Sequence, residues 1–556
     1  MKMLQTSDYV VFLTYFLIVA LYGWWVYRRK KTEQTSTKDY FLAEGSLTWW
    51  AIGASLIASN ISAEQFIGMS GSGFKMGLAI ATYEWMAAIT LIAVALFFIP
   101  VYLKNKIYTM PQFLSQRYNS TVSMIMAVFW LLLYVLVNLT SILYLGAIAI
   151  SSISGINLFV CMAILAIPAV FITLGGMKVI GYTDVIQVFF LILGGLATTY
   201  LALNLVAEHN GQSGVLAGFD LLQEKAGDHF HMILSQGDEN YMDLPGLTVL
   251  LGGMWIVNLN YWGCNQYITQ RALGADLKTA RGGLLFAAFL KLLMPLIVVI
   301  PGIAAYVLFK QDVFAAQMMQ GGEINPDKAY PVLLNLLPAG LKGLAFAALT
   351  AAVVASLAGK CNSISTIFTL DIYKKKINPE ADDKKLVWIG RATVVVAMVL
   401  ALIVAPFMGI DKKGGFQYIQ EYTGFVSPGI FAMFILGFFW KKTTSNAAMF
   451  ATIGGFGMSL VLKFLPKFLD LSGLFSMGYS VRNAEGVYEI PFLDRMGIVF
   501  VLCIAGMWVI SLAESRPGRE PKGLEVDTRL FRPSPSFAVG SLIICGILAA
   551  LYTIYW

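Results

Sequence analysis

The sequence predicts an all-α polytopic membrane protein, and three observations predict it. Of 556 residues, 58% are hydrophobic and 13% charged, with a mean hydropathy of +0.71. A soluble domain carries about 25% charged residues, and a chain with half of that cannot cover a water-facing surface. Apolar stretches long enough to cross a bilayer recur from residue 7 to the last residue. The intervals between them are too short for a soluble domain, which excludes a single-pass receptor or a lipid-anchored enzyme. Function therefore sits inside the bilayer or in short loops.

With about 20 residues needed per crossing, fourteen spans fall near 7–27, 47–73, 76–103, 121–153, 157–177, 180–206, 245–265, 281–309, 341–370, 388–408, 416–440, 446–466, 492–513 and 536–556. The first is followed by Arg28, Arg29, Lys30 and Lys31 without a small-residue cleavage site, so it reads as a retained span. Basic residues orient the set. With both termini outside, and bases within one turn of a span's end counted with the adjoining loop, 25 of the 39 Lys and Arg fall in cytoplasmic segments, 12 fall outside, and Lys291 and Lys360 fall within spans. The loop 207–244 holds a single base, Lys225, among seven acids, which agrees with an outer loop. Residues 514–536 form a Pro-rich charged linker before the last span, on the cytoplasmic side.

The remaining totals exclude whole classes of function. A net charge of +7 would suggest nucleic acid in a soluble chain, but here the bases flank spans, and no nucleic-acid partner is expected. The five cysteines lie scattered in or beside apolar stretches without a CxxC pair and read as small buried hydrophobes. His209, His229 and His231 share one polar loop, which leaves no intramembrane histidine for a metal centre or a proton relay. The sequence has neither HExxH nor GxSxG, and no ATP-binding motif. The chain is thus not expected to be an enzyme, and its work is driven by an ion gradient or by the solute's own.

The informative residues are those whose chemistry contradicts their depth, because an ionisable group at the bilayer centre costs several kcal/mol unless it is paired or faces water. In the second span, 47–73, Asn60 lies 13 residues from the start, about 20 Å along a helix and so near the midplane. Ser59, Ser62, Glu64 and Gln65 surround it, followed by Gly68, Gly71 and Gly73. A helix interrupted there frees carbonyls for a cation and amides for a polar solute; small residues that merely allow close helix packing are the alternative. Glu84 lies deep in the third span, either as a structural partner of an intramembrane lysine or as an acceptor for sugar hydroxyls. The run NLNYWGCNQY at 258–267 sets amides beside aromatic faces, which suits a sugar ring or an interfacial aromatic belt. FQYIQEYTG at 416–424 offers Phe416, Gln417, Gln420 and Glu421 under the same two readings. Asp184, in GYTDVIQVFF, is either functional or an N-cap carboxylate.

In these regions the chain resembles the sodium/solute symporter family, in particular its sodium/glucose cotransporter branch and the bacterial sodium/galactose transporters. The matching strings include ASNISAEQFIGMSGSG (58–73), YEWM (83–86), IYTMPQFLSQRYN (107–119), LGGMKVIGYTDVIQVFF (174–190) and NLNYWGCNQYITQR (258–271). FAAFLKLL (286–293), CNSISTIFTLDIY (361–373), QYIQEYTGFVSPGI (417–430) and FWKKTTS (439–445) continue them. The likeness runs from about residue 8 to the end. It implies a LeuT-type core of two inverted five-helix repeats with discontinuous helices, 47–206 and 245–440. They are joined by the outer loop 207–244, preceded by an extra helix and loop, 1–46, and followed by three helices, 441–556.

The resemblance implies a bacterial inner-membrane protein that imports a galactose- or glucose-like monosaccharide with Na⁺ by alternating access. Its partners would be the sugar and the bilayer, with no required protein partner. Carried over residue by residue, the sugar contacts are Asn60, Gln65, Glu84, Asn258, Lys291 and Gln420. Tyr261 stacks on the ring as the inner gate, Met69, Tyr83 and Phe416 close the outer side, and Asp184 lies on the ion pathway. Sodium is expected on the carbonyls of Ala58, Ile61 and Ala352 and on two adjacent hydroxyls. Here the second of these is Ser356, but the first position is Ala355, and Lys360 stands one turn further where an apolar residue is usual. Ala87 replaces a serine found in some sugar-binding members, which bears on the choice between galactose and glucose. Sodium-independent or proton-coupled sugar transport, or a sugar sensor on the same fold, are the alternatives that these departures raise. An anionic solute fits less well, since Glu84 stands at the proposed site.

Overall fold

A computed structural model describes residues 5–29, 40–41, 47–320, 322–407, 415–483, 486–515 and 523–556. Lys30, Lys31 and the middle of the 514–536 linker lie outside the described residues. The described chain is predominantly helical, and its described strands form two short antiparallel hairpins that pair Met319 with Ile324 and Val481 with Glu489.

Among the described residues, ten helices are long and apolar enough to cross a membrane: Thr6–Val26, Glu64–Lys104, Ser120–Ser154, Gly176–His209, Leu277–Lys310, Leu341–Ile377, Asp383–Phe407, Ser445–Lys467, Phe492–Ala513 and Pro535–Ile554. Leu158–Leu174 and Ser427–Phe439 are shorter apolar helices. The expected count of fourteen is not reproduced by this measure because hydropathy continues where the helix does not. The second predicted span is Trp49–Asn60 followed by the π-helix Glu64–Met69 and the helix Ser70–Met76. The seventh is Leu247–Leu251 and Gly253–Cys264, and extended backbone at Asn265 parts it from Gln266–Leu273. The eleventh is Gly415–Gly424 and Ser427–Phe439. Gly77, at φ +68°, ends Ser70–Met76 in a backbone conformation that a side chain would resist, and a 3₁₀ turn, Gly77–Ala81, leads into Thr82–Ala93.

The chain divides into two compact units, each drawn from three separated segments. The first comprises Met1–Ala81, Ala127–His231 and Gln270–Phe416. In it Gly176–His209, Leu277–Lys310 and Leu341–Thr366 pack around Trp49–Asn60, ten of whose twelve residues are buried. Without an aqueous driving force between them, such helices rely on close van der Waals approach. Gly302 shows how close: a Cβ there would lie 2.1 Å from the Ser70 carbonyl oxygen.

The second unit comprises Thr82–Met126, Met232–Thr269 and Gln417–Trp556. In it Gly253–Cys264 packs on Thr82–Ala93, Ser427–Phe439 and Phe492–Ala513. Arg117, 1% exposed, donates to the carbonyls of Gly437 (2.8 Å), Trp440 (2.9 Å), Lys441 (3.3 Å) and Thr443 (3.0 Å). A helix end leaves its last carbonyls without intrahelical donors, and here one buried guanidinium serves those at the end of Ser427–Phe439.

Candidate functional site

The break in the second span is built by its own side chains. Trp49–Asn60 closes with Ile61 N–H on Ile57 O at 2.8 Å, and Ile61 then turns extended at φ −81°, ψ 116°. In an unbroken helix the Ser62 amide would donate to Ala58 O. Instead it donates to Gln65 Oε1 at 3.0 Å, which also accepts from Ser62 Oγ at 3.2 Å. The Glu64 amide goes to Ser62 Oγ at 3.2 Å, and the Gln65 amide to Ser62 O at 3.2 Å rather than back to Ile61. The donors that would close the helical ladder onto the Ala58 and Ile61 carbonyls are thus engaged elsewhere. Ser62 and Gln65, buried at 0% and 6% exposure, act as an internal cap for the segment that resumes at Glu64.

Across from the break runs Leu341–Thr366, continuous through Ala352, Ala355, Ser356 and Lys360, all buried. Ser356 Oγ donates to Ser59 O at 3.0 Å, which ties this helix to the last turn before the break. Because the hydroxyl spends its hydrogen on that carbonyl, its lone pairs stay available as acceptors. Carbonyls at a helix break and a hydroxyl whose lone pairs are free are neutral hard donors of the type that hold alkali cations in discontinuous helices, so these residues fit Na⁺. Ala355 adds no oxygen. The Ala352 carbonyl lies inside an intact helix.

Two charged clusters lie beside this region in the same unit. Lys291, 1% exposed on Leu277–Lys310, donates from Nζ to Asn60 Oδ1. Asp184, fully buried, accepts from Ser55 Oγ, which itself accepts from Arg271 Nε at 2.7 Å; Arg271 Nη2 stands 3.8 Å from the Asp184 carboxylate. The N-cap reading of Asp184 is therefore corrected: the helix begins at Gly176 and Asp184 lies well inside it, pairing with other helices. A Cβ on Gly359 would meet Arg271 Nη2 at 2.5 Å and Ser59 Oγ at 2.8 Å, so only glycine lets the guanidinium pass Leu341–Thr366 at this point. Met69 and Phe416, both buried, also belong to this unit, with Phe416 seated on Gly68.

The second unit holds the other nominated residues. Tyr83 and Glu84 are buried in the first turn of Thr82–Ala93. Asn258 is buried and donates to Met254 O at 3.1 Å, while Tyr261 packs edge-on to Trp262 and Tyr267 at 5.1 and 5.6 Å. Trp262 and Asn260 are buried too, and Asn260 donates to Ser427 Oγ at 3.2 Å. Residues held in this way do not form a lipid-facing aromatic belt. Gln420 is half-buried, with its backbone carbonyl taken by Thr423 Oγ1 at 3.2 Å. Glu421 is spent on Lys463 and Arg495, both at 2.7 Å, a structural role for an acid that sequence alone left open. Gln417, offered with its neighbours by the sequence but not among the contacts that the resemblance implies, is 7% exposed, with both amide atoms buried and without a hydrogen-bond partner among the described residues. Its signal is environmental, and the sequence offers only its spacing of three from Gln420.

The sodium:solute symporter family pattern matches residues 40–455. The chain is similar to a sodium/glucose cotransporter of Vibrio parahaemolyticus, 48% identical over 564 residues that cover 100% of this chain and 99% of the relative. It is also similar to human sodium/myo-inositol cotransporter 2, 35% identical over 479 residues, 83% of this chain and 70% of the relative. Among solved structures, a substrate-bound, outward-open Na⁺-coupled sialic acid symporter superposes with a TM-score of 0.75 at 20% identity, covering 92% of this chain and 98% of that one. At that identity the likeness is one of fold, the LeuT type with discontinuous helices.

Proposed function

The chain belongs to the sodium:solute symporter family, as a sodium-coupled integral membrane transporter and not an enzyme, and from that premise we propose that it imports a galactose- or glucose-like monosaccharide with Na⁺ by alternating access. The observation that carries the reading is the break at Ile61 to Ala63. There, side chains divert the donors that would close on Ala58 and Ile61, while Lys291 holds Asn60 at the same level.

The cation is held by the carbonyls of Ala58, Ile61 and Ala352 and by Ser356. The sugar is read by Asn60, Gln65, Glu84, Asn258, Lys291 and Gln420, a set that both donates and accepts, as a neutral polyol requires. Tyr261 lies against the ring as the inner gate, and Met69, Tyr83 and Phe416 gate the outer side. Asp184 belongs to the ion's path. The repeats run over 47–206 and 245–440, and fourteen crossings in a bacterial inner membrane leave both termini outside. The concentration of Lys and Arg in the segments assigned to the cytoplasm supports this orientation.

The test is uptake of radiolabelled galactose, glucose and myo-inositol into proteoliposomes with and without an inward Na⁺ gradient. We expect a hexose to accumulate above equilibrium only with the gradient. Hexose uptake that equilibrates and ignores Na⁺ would replace symport by a uniporter or sensor, and accumulation of myo-inositol alone would replace the substrate.

A further inference from the structure

Lys360 is 3% exposed in the middle of a spanning helix, at a depth where an ammonium needs a partner. It lies four residues past Ser356, on the same face of Leu341–Thr366. That face is fixed against the break by Ser356 on Ser59 and by the close approach of Gly359 to Ser59. The carboxylate whose charge acts on Lys360 is Glu64, the first residue after the break. Glu64 is anchored in turn by Ser141 Oγ at 3.2 Å, from Thr140–Ser154, a helix that packs against both Leu341–Thr366 and Glu64–Met69. A buried cation four residues past Ser356 and an anion three residues past Ile61 thus act on each other beside the oxygens of Ala58, Ile61 and Ser356, and neither is needed to ligate the ion.

We propose that Lys360 and Glu64 form a built-in charge pair that sets the affinity of the neighbouring oxygens for the coupling cation, Lys360 weakening it and Glu64 strengthening it. This rests on the sodium site described above. Deleting one charge leaves the other uncompensated, and at an effective dielectric of about 20 an uncompensated unit charge about two helical turns away changes monovalent cation binding by roughly tenfold. The two single variants therefore act in opposite directions, and the double variant cancels.

The experiment measures Na⁺ binding to the purified full chain by intrinsic tryptophan fluorescence in the absence of sugar, alongside the Na⁺ dependence of sugar uptake. Lys360→Met should lower the half-saturating Na⁺ concentration about tenfold. Glu64→Gln should raise it by a similar factor, Lys360→Met with Glu64→Gln should return near the parent value, and Lys360→Arg should keep it. Lys360→Gln serves if the methionine variant does not fold. Ser356→Ala is the control and should weaken Na⁺ binding. If it does so while the Lys360 and Glu64 variants are silent or shift together, the charge pair is overturned and the sodium site stands. If Ser356→Ala is itself silent, the site reading falls and the pair falls with it.

Discussion

The second and ninth predicted spans pack in the same unit and supply oxygens by opposite means. Trp49–Asn60 stops, and its last carbonyls lose their helical donors because Ser62 and Gln65 capture the amides that would have closed on them. Leu341–Thr366 does not stop, so its carbonyls, that of Ala352 included, keep their helical partners, and what it adds beyond them is a side chain, the Ser356 hydroxyl at the break. The difference teaches where each helix is fragile. A broken helix fails when the groups that hold the break are removed, whereas an intact one fails or gains at a single side-chain atom.

The largest expected effect follows on the broken side. Gln65→Ala removes the acceptor for two Ser62 donors and lets the ladder close on Ala58, so Na⁺ binding and sugar uptake should fall together. The buried Ser62 hydroxyl then left unmet costs about 1–3 kcal/mol, which corresponds to a loss of roughly 5- to 150-fold. Paired Na⁺ titrations and uptake kinetics check this, and loss of sugar binding alone would mean that Gln65 reads solute and does not hold the break.

On the intact side, Gly359→Ala drives a methyl against the Arg271 guanidinium and Ser59. Arg271 is buried and bonded to Ser55, so it has little room to yield. The expected cost is about 1–3 kcal/mol, read as a lowered Tm in detergent. Ala355→Ser tests the same helix in the favourable direction. It restores an oxygen beside Ser356 and should tighten Na⁺ binding about tenfold, about 1.4 kcal/mol; no change would show that Ser356 is the only side chain through which the intact helix contributes.

The smallest effect lies at the end of another intact helix. Asp276 caps Leu277–Lys310, accepting from the amides of Lys278 at 2.9 Å and Thr279 at 3.0 Å and from the Thr279 hydroxyl at 2.6 Å, and these bonds hold its carboxyl below the usual range. Asp276→Ala should cost about 1 kcal/mol. Because the folded state favours the ionised form, the contribution is complete above the unfolded value near 3.9 and is lost as pH falls through the depressed folded value. The variant and the parent should therefore converge in stability in acid.

The break itself was legible because Asn60, Ser62, Glu64 and Gln65 are too polar for the depth that the span length assigns them. What holds it was not. That Gln65 bonds its own neighbour Ser62, that Asn60 meets Lys291 from 231 residues away, and that Asp184 meets Ser55 and Arg271 depend on packing rather than periodicity. Glu421 shows the converse error of emphasis, since an acid inside an apolar stretch can be paired with bases of other helices, here Lys463 and Arg495. The limits of the helices were less legible for a related reason: hydropathy records depth but not the extended backbone at Asn265 or the turn between Gly424 and Ser427.

The most direct test of coupling is the entry of radioactive sodium into proteoliposomes when galactose or glucose is added outside with the membrane potential clamped. We predict that sugar evokes Na⁺ entry in the parent protein and that Gln65→Ala abolishes it. Sugar entry without accompanying Na⁺ entry would contradict the account, because the oxygens gathered at the break would then hold no coupling ion.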